Sequence, residues 1–190
     1  MKLLEEKILE QGEVLPGNVL KVGSFLNHQL DVKLLLEMGK EAARLFEGVP
    51  VTKIVTAEAS GIAIATAFAA VFGVPALFAK KNKTSNLAGE FYTANVHSYT
   101  HGNDYKMVVD KKYLKSDDTV IIVDDFLANG AALEGLCDIV SQSGATLAGC
   151  VIAIEKGFQG GGDRLREKGV RVESLAIVES MEDGKITFRG

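Results

Sequence analysis

Apolar residues fall into two recurring patterns along this chain. Unbroken aliphatic runs, such as VIIV at residues 120–123, alternate with stretches in which apolar residues return at about every third or fourth position. Unbroken runs suit strands covered on both faces, and the longer period suits helices packed against them. The opening MKLLEEKILEQG predicts an amphipathic helix, and the Pro16-Gly17 turn in EVLPGNVLKVG predicts a small hairpin or irregular arm outside the repeating core. DVKLLLEMGKEAARLFEG predicts a helix with Asp31 as N-cap and Gly48 near its end. Strands are then predicted at residues 52–57, 75–80, 118–124 and 147–156, and helices at 61–72 and 130–143. Strands alternating with helices predict an α/β fold, with a central, mainly parallel sheet and helices on both faces.

The pattern breaks between Lys80 and Asp118. A polar, lysine-rich piece there precedes two alternating segments, residues 91–99 and 105–109, which predicts a flexible loop leading into an antiparallel hairpin. A long polar excursion in a compact domain commonly serves as a lid or binding loop.

Composition narrows the classes. With 190 residues, 47% hydrophobic and 24% charged, the chain is expected to form a single domain over residues 1–190. A net charge of -4 argues against a general nucleic-acid-binding surface. No run of about 18 apolar residues is present to span a membrane. Acids within the apolar spacing of the first helix make it a poor signal peptide, so a cytoplasmic location is expected. Cys137 and Cys150 sit among aliphatic and small residues, as free thiols packed like small hydrophobes do. His28, His97 and His101 show no metal-ligand spacing with them, so no protein-built metal site is expected.

The chemistry concentrates in VIIVDDFLANGAALEG, where two adjacent carboxylates, Asp124 and Asp125, follow a buried run that is expected to end on them. Ligands of open parallel sheets bind beyond the carboxyl ends of the strands. The turn from Phe126 to Ala132 would offer backbone N–H groups there, with Gly130 permitting close approach and a helix N-terminus behind. That makes a phosphate cradle beside two acids, whose own partners would be hydroxyls or a cation on the same ligand. A sugar phosphate with bound magnesium satisfies both halves. The plain alternative is that Asp124 caps the strand and Asp125 the next helix. There is no G-x-x-x-x-G-K-[ST], and no G-x-G-x-x-G follows the first core strand.

VIIVDDFLANGAA resembles the phosphoribosyl pyrophosphate motif of the type I phosphoribosyltransferases: four hydrophobic residues, two acids, two hydrophobic residues and a small-residue turn. The family often has hydroxyl residues in that turn. Here Ala128, Asn129, Gly130, Ala131 and Ala132 leave phosphate contacts to the backbone and Asn129. With SFLNHQ near the N-terminus and AIEKGFQ after the fourth strand, the chain resembles, over essentially its whole length, the bacterial members that use xanthine.

The resemblance implies transfer of the 5-phosphoribosyl group to N9 of xanthine. It also implies magnesium bound mainly through phosphoribosyl pyrophosphate, a base-binding arm within residues 1–50, a closing loop within residues 81–118 and a homodimer. It gives Asp124 and Asp125 the ribose and the cationic transition state, and Ser60, Gly61 and Lys81 the pyrophosphate. A non-proline cis peptide is expected at Glu58-Ala59. Lys156 would donate to the 6-oxo group, and Leu20 and Asn27 would meet the base, with Phe158 offering a stacking face. On residue chemistry alone, Lys80, Lys81 and Lys83 also suit a solvated charge run. Lys156 likewise suits a snorkelling position, Phe158 a core and Asn27 a turn. Transfer to guanine or hypoxanthine, or a sensing regulator without catalysis, are the other readings.

Overall fold

The computed structural model describes residues 1–82, 90–98 and 103–190. An amphipathic helix α1 (Lys2–Gln11) leads into a two-stranded antiparallel hairpin, β1 (Glu13–Leu15) and β2 (Val19–Lys21). The tip of that hairpin carries Gly17 and Asn18, both with positive φ. A π-helical turn, Gly23–Asn27, then carries the chain to α2 (Val32–Leu45), whose N-cap Asp31 accepts from Leu34 N at 3.2 Å. This cap satisfies one of the amides that the first helical turn leaves without a partner.

Eight strands form the main sheet. They are β3 (Lys53–Ala57), β4 (Ala76–Asn82), β5 (Phe91–Ser98), β6 (Asn103–Asp110), β7 (Thr119–Leu127), β8 (Thr146–Lys156), β9 (Val172–Ser180) and β10 (Thr187–Phe188). Their order is β10-β9-β8-β7-β3-β4-β6-β5, parallel from β9 through β4 and antiparallel at both edges. Helices α3 (Gly61–Phe72), α4 (Ala131–Ser143) and α5 (Gly161–Glu167) connect the strands.

Side-chain alternation divides the core in two. Ile54, Ile121 and Val123 face one cluster with Ile8, Phe25, Met38, Phe46 and Phe68, from α1, α2, α3 and the segments beside them. Val55, Val120 and Ile122 face the other, with Met107, Leu136, Ile139 and Leu165. Each fully buried large side chain contributes about 1.5–3 kcal/mol of burial free energy, so both faces of the sheet are strongly specified. Cys150 lies in the second cluster and Cys137 packs against it, both as free thiols.

The α/β architecture and its predicted elements up to Lys156 are present, with one substantial difference: β7 does not stop at the acidic pair. It runs on to Leu127, with Asp124 opposite Ile152, Phe126 opposite Ile154 and Leu127 opposite Glu155. The pairing continues because Phe126 and Leu127 restore apolar packing once the acids have passed. Beyond Lys156 the structure adds α5, β9 and β10. The expected loop after Lys80 falls largely on residues 83–89, Lys83 included, and the expected hairpin turn on 99–102; both lie outside the described residues. Among the described residues no helix is long and apolar enough to cross a membrane.

Candidate active site

The carboxyl ends of β3, β4 and β7 and the facing hairpin of β5 and β6 surround a cavity of about 500 Å³. Of the residues singled out from sequence, Asn27, Ser60, Lys81, Asp124, Asp125 and the whole turn from Ala128 to Ala132 line it. Chain segments nearly a hundred residues apart are thus brought together: Asn27 Nδ2 donates to Asp125 Oδ2 at 3.0 Å.

Asp125 is only 8% exposed, so its hydrogen bond from Asn27 offsets part of the cost of holding a carboxylate there. Asp124 accepts from Asp125 N at 3.0 Å through Oδ1. Burial first, and then the neighbouring Asp125 charge, hold the Asp124 carboxyl well above the ordinary carboxylate range, while the positive charge of Lys81 works in the opposite direction. A ligand presenting hydroxyls or positive charge here would favour the ionised form of Asp124.

The turn behind the pair is built for an anion. Gly130 takes φ +87°, a conformation glycine adopts without steric cost, and α4 begins at Ala131. Asn129 Oδ1 accepts from Ala131 N at 3.2 Å, closing an Asx turn that leaves the Asn129 amide group pointing away from that bond. Small side chains at Ala128, Ala131 and Ala132 let a ligand approach the N-terminal amides of α4 and its dipole.

A second helix start meets the cavity from the other side. The Glu58-Ala59 peptide is cis. Ser60 stands at the N-cap of α3 with its hydroxyl free of any capping bond, and Glu58 Oε1 accepts from Lys81 N at 2.5 Å. Gly61 is not part of the lining; it sits tightly beneath. A Cβ at Gly61 would lie 2.0 Å from Thr56 Oγ1 and 3.1 Å from Asp124 Oδ1. Among the described residues, Thr56 Oγ1 is itself buried without a hydrogen-bond partner. Lys81 Nζ stands 5.2 Å from the Tyr105 ring centroid, and burial together with Asp124 raises the Tyr105 pKa.

Two residues expected at the base stand apart from the lining. Leu20 is 5% exposed and packs into the α2-side core, and Lys156 Nζ donates to Asn18 O at 2.8 Å, 5.7 Å from the Phe126 ring centroid. Burial lowers the Lys156 pKa. Phe158 is 39% exposed, which rules out the core alternative. Sequence reasoning missed Tyr105, Val96, His97 and Leu133 as lining residues. The one sequence signal of those in the hairpin was alternation, which says that a residue faces inward without saying what it faces.

The described residues contain no group of three or more His, Cys, Asp or Glu able to hold a metal ion. The oxygen donors present suit a hard cation that arrives coordinated by a phosphorylated ligand, not one caged by the protein.

Comparison with known proteins speaks to the family and the fold. The family profile described as phosphoribosyl transferase domain matches residues 28–180. A xanthine phosphoribosyltransferase of Lachnoclostridium phytofermentans is 55% identical, across 100% of this chain and 99% of that protein. One of Bifidobacterium adolescentis is also 55% identical, across 100% of both. Among solved structures, the adenine phosphoribosyltransferase of Giardia lamblia superposes with a TM-score of 0.78 at 20% identity, over 93% of this chain and 98% of that one. That of Rhodothermus marinus superposes with a TM-score of 0.76 at 19% identity, over 94% and 100%. At such identities these two speak for the shared fold alone.

Proposed function

This chain belongs to the phosphoribosyltransferase family, and on that premise we propose that it transfers the 5-phosphoribosyl group of phosphoribosyl pyrophosphate to N9 of xanthine, yielding xanthosine 5'-monophosphate and pyrophosphate. The observation that carries the reading is the single cavity in which two carboxylates and a helix-terminal anion turn face one another. Full-length relatives named for xanthine supply the substrate.

In this reading the turn of residues 128–132 holds the 5-phosphate, and Asp124 and Asp125 accept from the ribose hydroxyls. Ser60, the amides at the start of α3 and Lys81 receive the pyrophosphate, with Gly61 allowing the helix start its position. The bond from N9 to C1 of the ribose forms as the bond from C1 to pyrophosphate oxygen breaks; the electron pair leaves with pyrophosphate, and the N9 proton passes to solvent. The acidic pair stabilises the positive charge that grows on the sugar, and no covalent nucleophile is needed. Magnesium, bound mainly through phosphoribosyl pyrophosphate, would supply neutralising charge at the leaving group.

Lys156 donates to the 6-oxo group after exchanging the Asn18 carbonyl for it. An ammonium has donors only, so the amino group of adenine would be unmatched there. Asn27 keeps its carbonyl and one amide hydrogen for the base while binding Asp125, and Leu20 shapes the arm behind it. The enzyme acts in the cytoplasm as a homodimer. The outward face of β4 and β6, with the turn that follows β6, supports this assembly: Phe78 is 38% and Tyr113 57% exposed beside Lys80 and Val108. Initial rates with xanthine, guanine, hypoxanthine and adenine test the substrate: xanthine gives the highest kcat/KM, and a preference for guanine would overturn the assignment. Guanine and hypoxanthine remain the second reading because the Lys156 donor fits any 6-oxopurine.

A further inference from the structure

The anion turn after β7 is not free-standing. α5 begins against it, where Gly161 N donates to Ala128 O at 3.2 Å. A Cβ at Gly161 would lie 2.2 Å from Ala128 O and 2.7 Å from the Asn129 carbonyl carbon, so only glycine lets these two backbones meet. Three residues on, Arg164 spans a wider gap. Its Nη2 donates to Asn129 O at 2.7 Å, and its Nη1 makes a longer bond to Gln159 O at 3.4 Å. Gln159 closes the short 3-10 turn Gly157–Gln159, which follows Lys156 directly and carries the exposed Phe158.

One planar guanidinium therefore holds the backbone of the phosphate turn with one arm and the backbone of the base-side turn with the other. Lysine, a point charge on a flexible stem, would not reproduce that fork. Among the described residues Arg164 forms no ion pair with a carboxylate, unlike its neighbour Arg166, which is tied to the buried Glu155 at 2.7 Å. The position of Arg164 is thus set by the two carbonyls and not by a charge partner.

We propose that Arg164 is a positioning residue that couples the two halves of the site, so that the purine and the phosphoribosyl group each bind more tightly when the other is present. Occupancy at Lys156 and Phe158 orders the Gly157–Gln159 turn. Arg164 carries that order to the Asn129 carbonyl, and hence to the amides that receive the phosphate. Such coupling is reciprocal between the two ligands, and a factor of about 5 or more is expected from typical linkage between sites. The inference rests on the proposed function.

Isothermal titration calorimetry with xanthine and ribose 5-phosphate tests it. Ribose 5-phosphate keeps the phosphate and hydroxyls but lacks the leaving group, so no turnover intervenes. In the wild-type enzyme, each ligand lowers the Kd of the other by about 5-fold or more. In Arg164→Met and Arg164→Lys the coupling factor falls toward one, whatever the change in each Kd measured alone. The lysine variant keeps the charge and thereby separates loss of the fork from loss of attraction for phosphate. Coupling that persists in both variants, or that is absent from wild type, overturns the inference. Failure of wild type to bind either ligand overturns instead the function on which it rests.

Discussion

Asp124 is the residue whose chemistry and stability pull hardest against each other. Its carboxyl is held above the ordinary range by burial and by Asp125, so the folded chain binds that proton more tightly than the unfolded chain does. Stability from this group is therefore greatest at acid pH and declines as pH rises from the ordinary carboxylate range through the raised folded value. Asp124→Asn removes the penalty: the variant should melt higher than wild type near neutrality, with the gap closing below about pH 4, where the carboxyl is protonated in both states. Its kcat/KM should nevertheless fall by about two orders of magnitude or more, because the charge facing the sugar cation is gone. Equal melting curves across the pH range would show that the acid is not held in tension.

Two further residues give separable signatures. Asn129→Ala loses the Asx-turn hydrogen bond from Ala131 N, worth about 0.5–1.5 kcal/mol. It should also raise the KM for phosphoribosyl pyrophosphate with little change in that for xanthine; an unchanged Michaelis constant would remove Asn129 from phosphate binding. Lys156→Met should do the reverse. A hydrogen bond from a charged donor is worth about 1.5–3 kcal/mol, so the KM for xanthine should rise by about tenfold or more while phosphoribosyl pyrophosphate is bound as before.

At the scale of elements, the site depends on how closely α3 approaches β3 and β7. Gly61→Ala would drive a Cβ to 2.0 Å from Thr56 Oγ1, and overpacking of this kind costs about 1–3 kcal/mol. Thr56→Ala in the same background should restore much of that loss, since it removes the atom in conflict; a double-mutant cycle by denaturant unfolding reads the coupling. Additive effects would mean that the two residues do not set the helix position. This contact was invisible in the sequence, which shows a glycine at a helix start and no indication of what lies beneath it. The elements themselves were legible where apolar runs were unbroken, as in β3, β7 and β8. They were less so where charges interrupt them. β7 was expected to end at Asp124 because a carboxylate is expensive inside a sheet, yet Phe126 and Leu127 carry the pairing onward and the charges face the cavity. The same difficulty hid β9, whose apolar alternation is broken by Glu173 and Ser174 facing the Arg171 and Arg166 side chains.

For the whole molecule, the strand order explains why the site forms where it does. β7 lies between β3 and β8, so its acidic pair stands beside the α3 loop on one side and the Lys156 end of β8 on the other. The hairpin of β5 and β6, paired to β4, adds Tyr105, Val96 and His97 as a wall. The motif at residues 120–132 could locate the phosphate and ribose positions because its chemistry is local in sequence. The base end was harder to read: Asn27 meets Asp125 and Lys156 meets Asn18 across large sequence separations, and only the fold pairs them. The central claim is that the acidic pair and the turn act together in transferring a phosphoribosyl group to xanthine. The most direct measurement is the rate of xanthosine 5'-monophosphate formation from xanthine and phosphoribosyl pyrophosphate, with magnesium, by wild type and by the Asp124→Asn/Asp125→Asn variant. Ready formation by wild type and near-complete loss in the double variant, which still folds, is the expected result; full activity in that variant would contradict it.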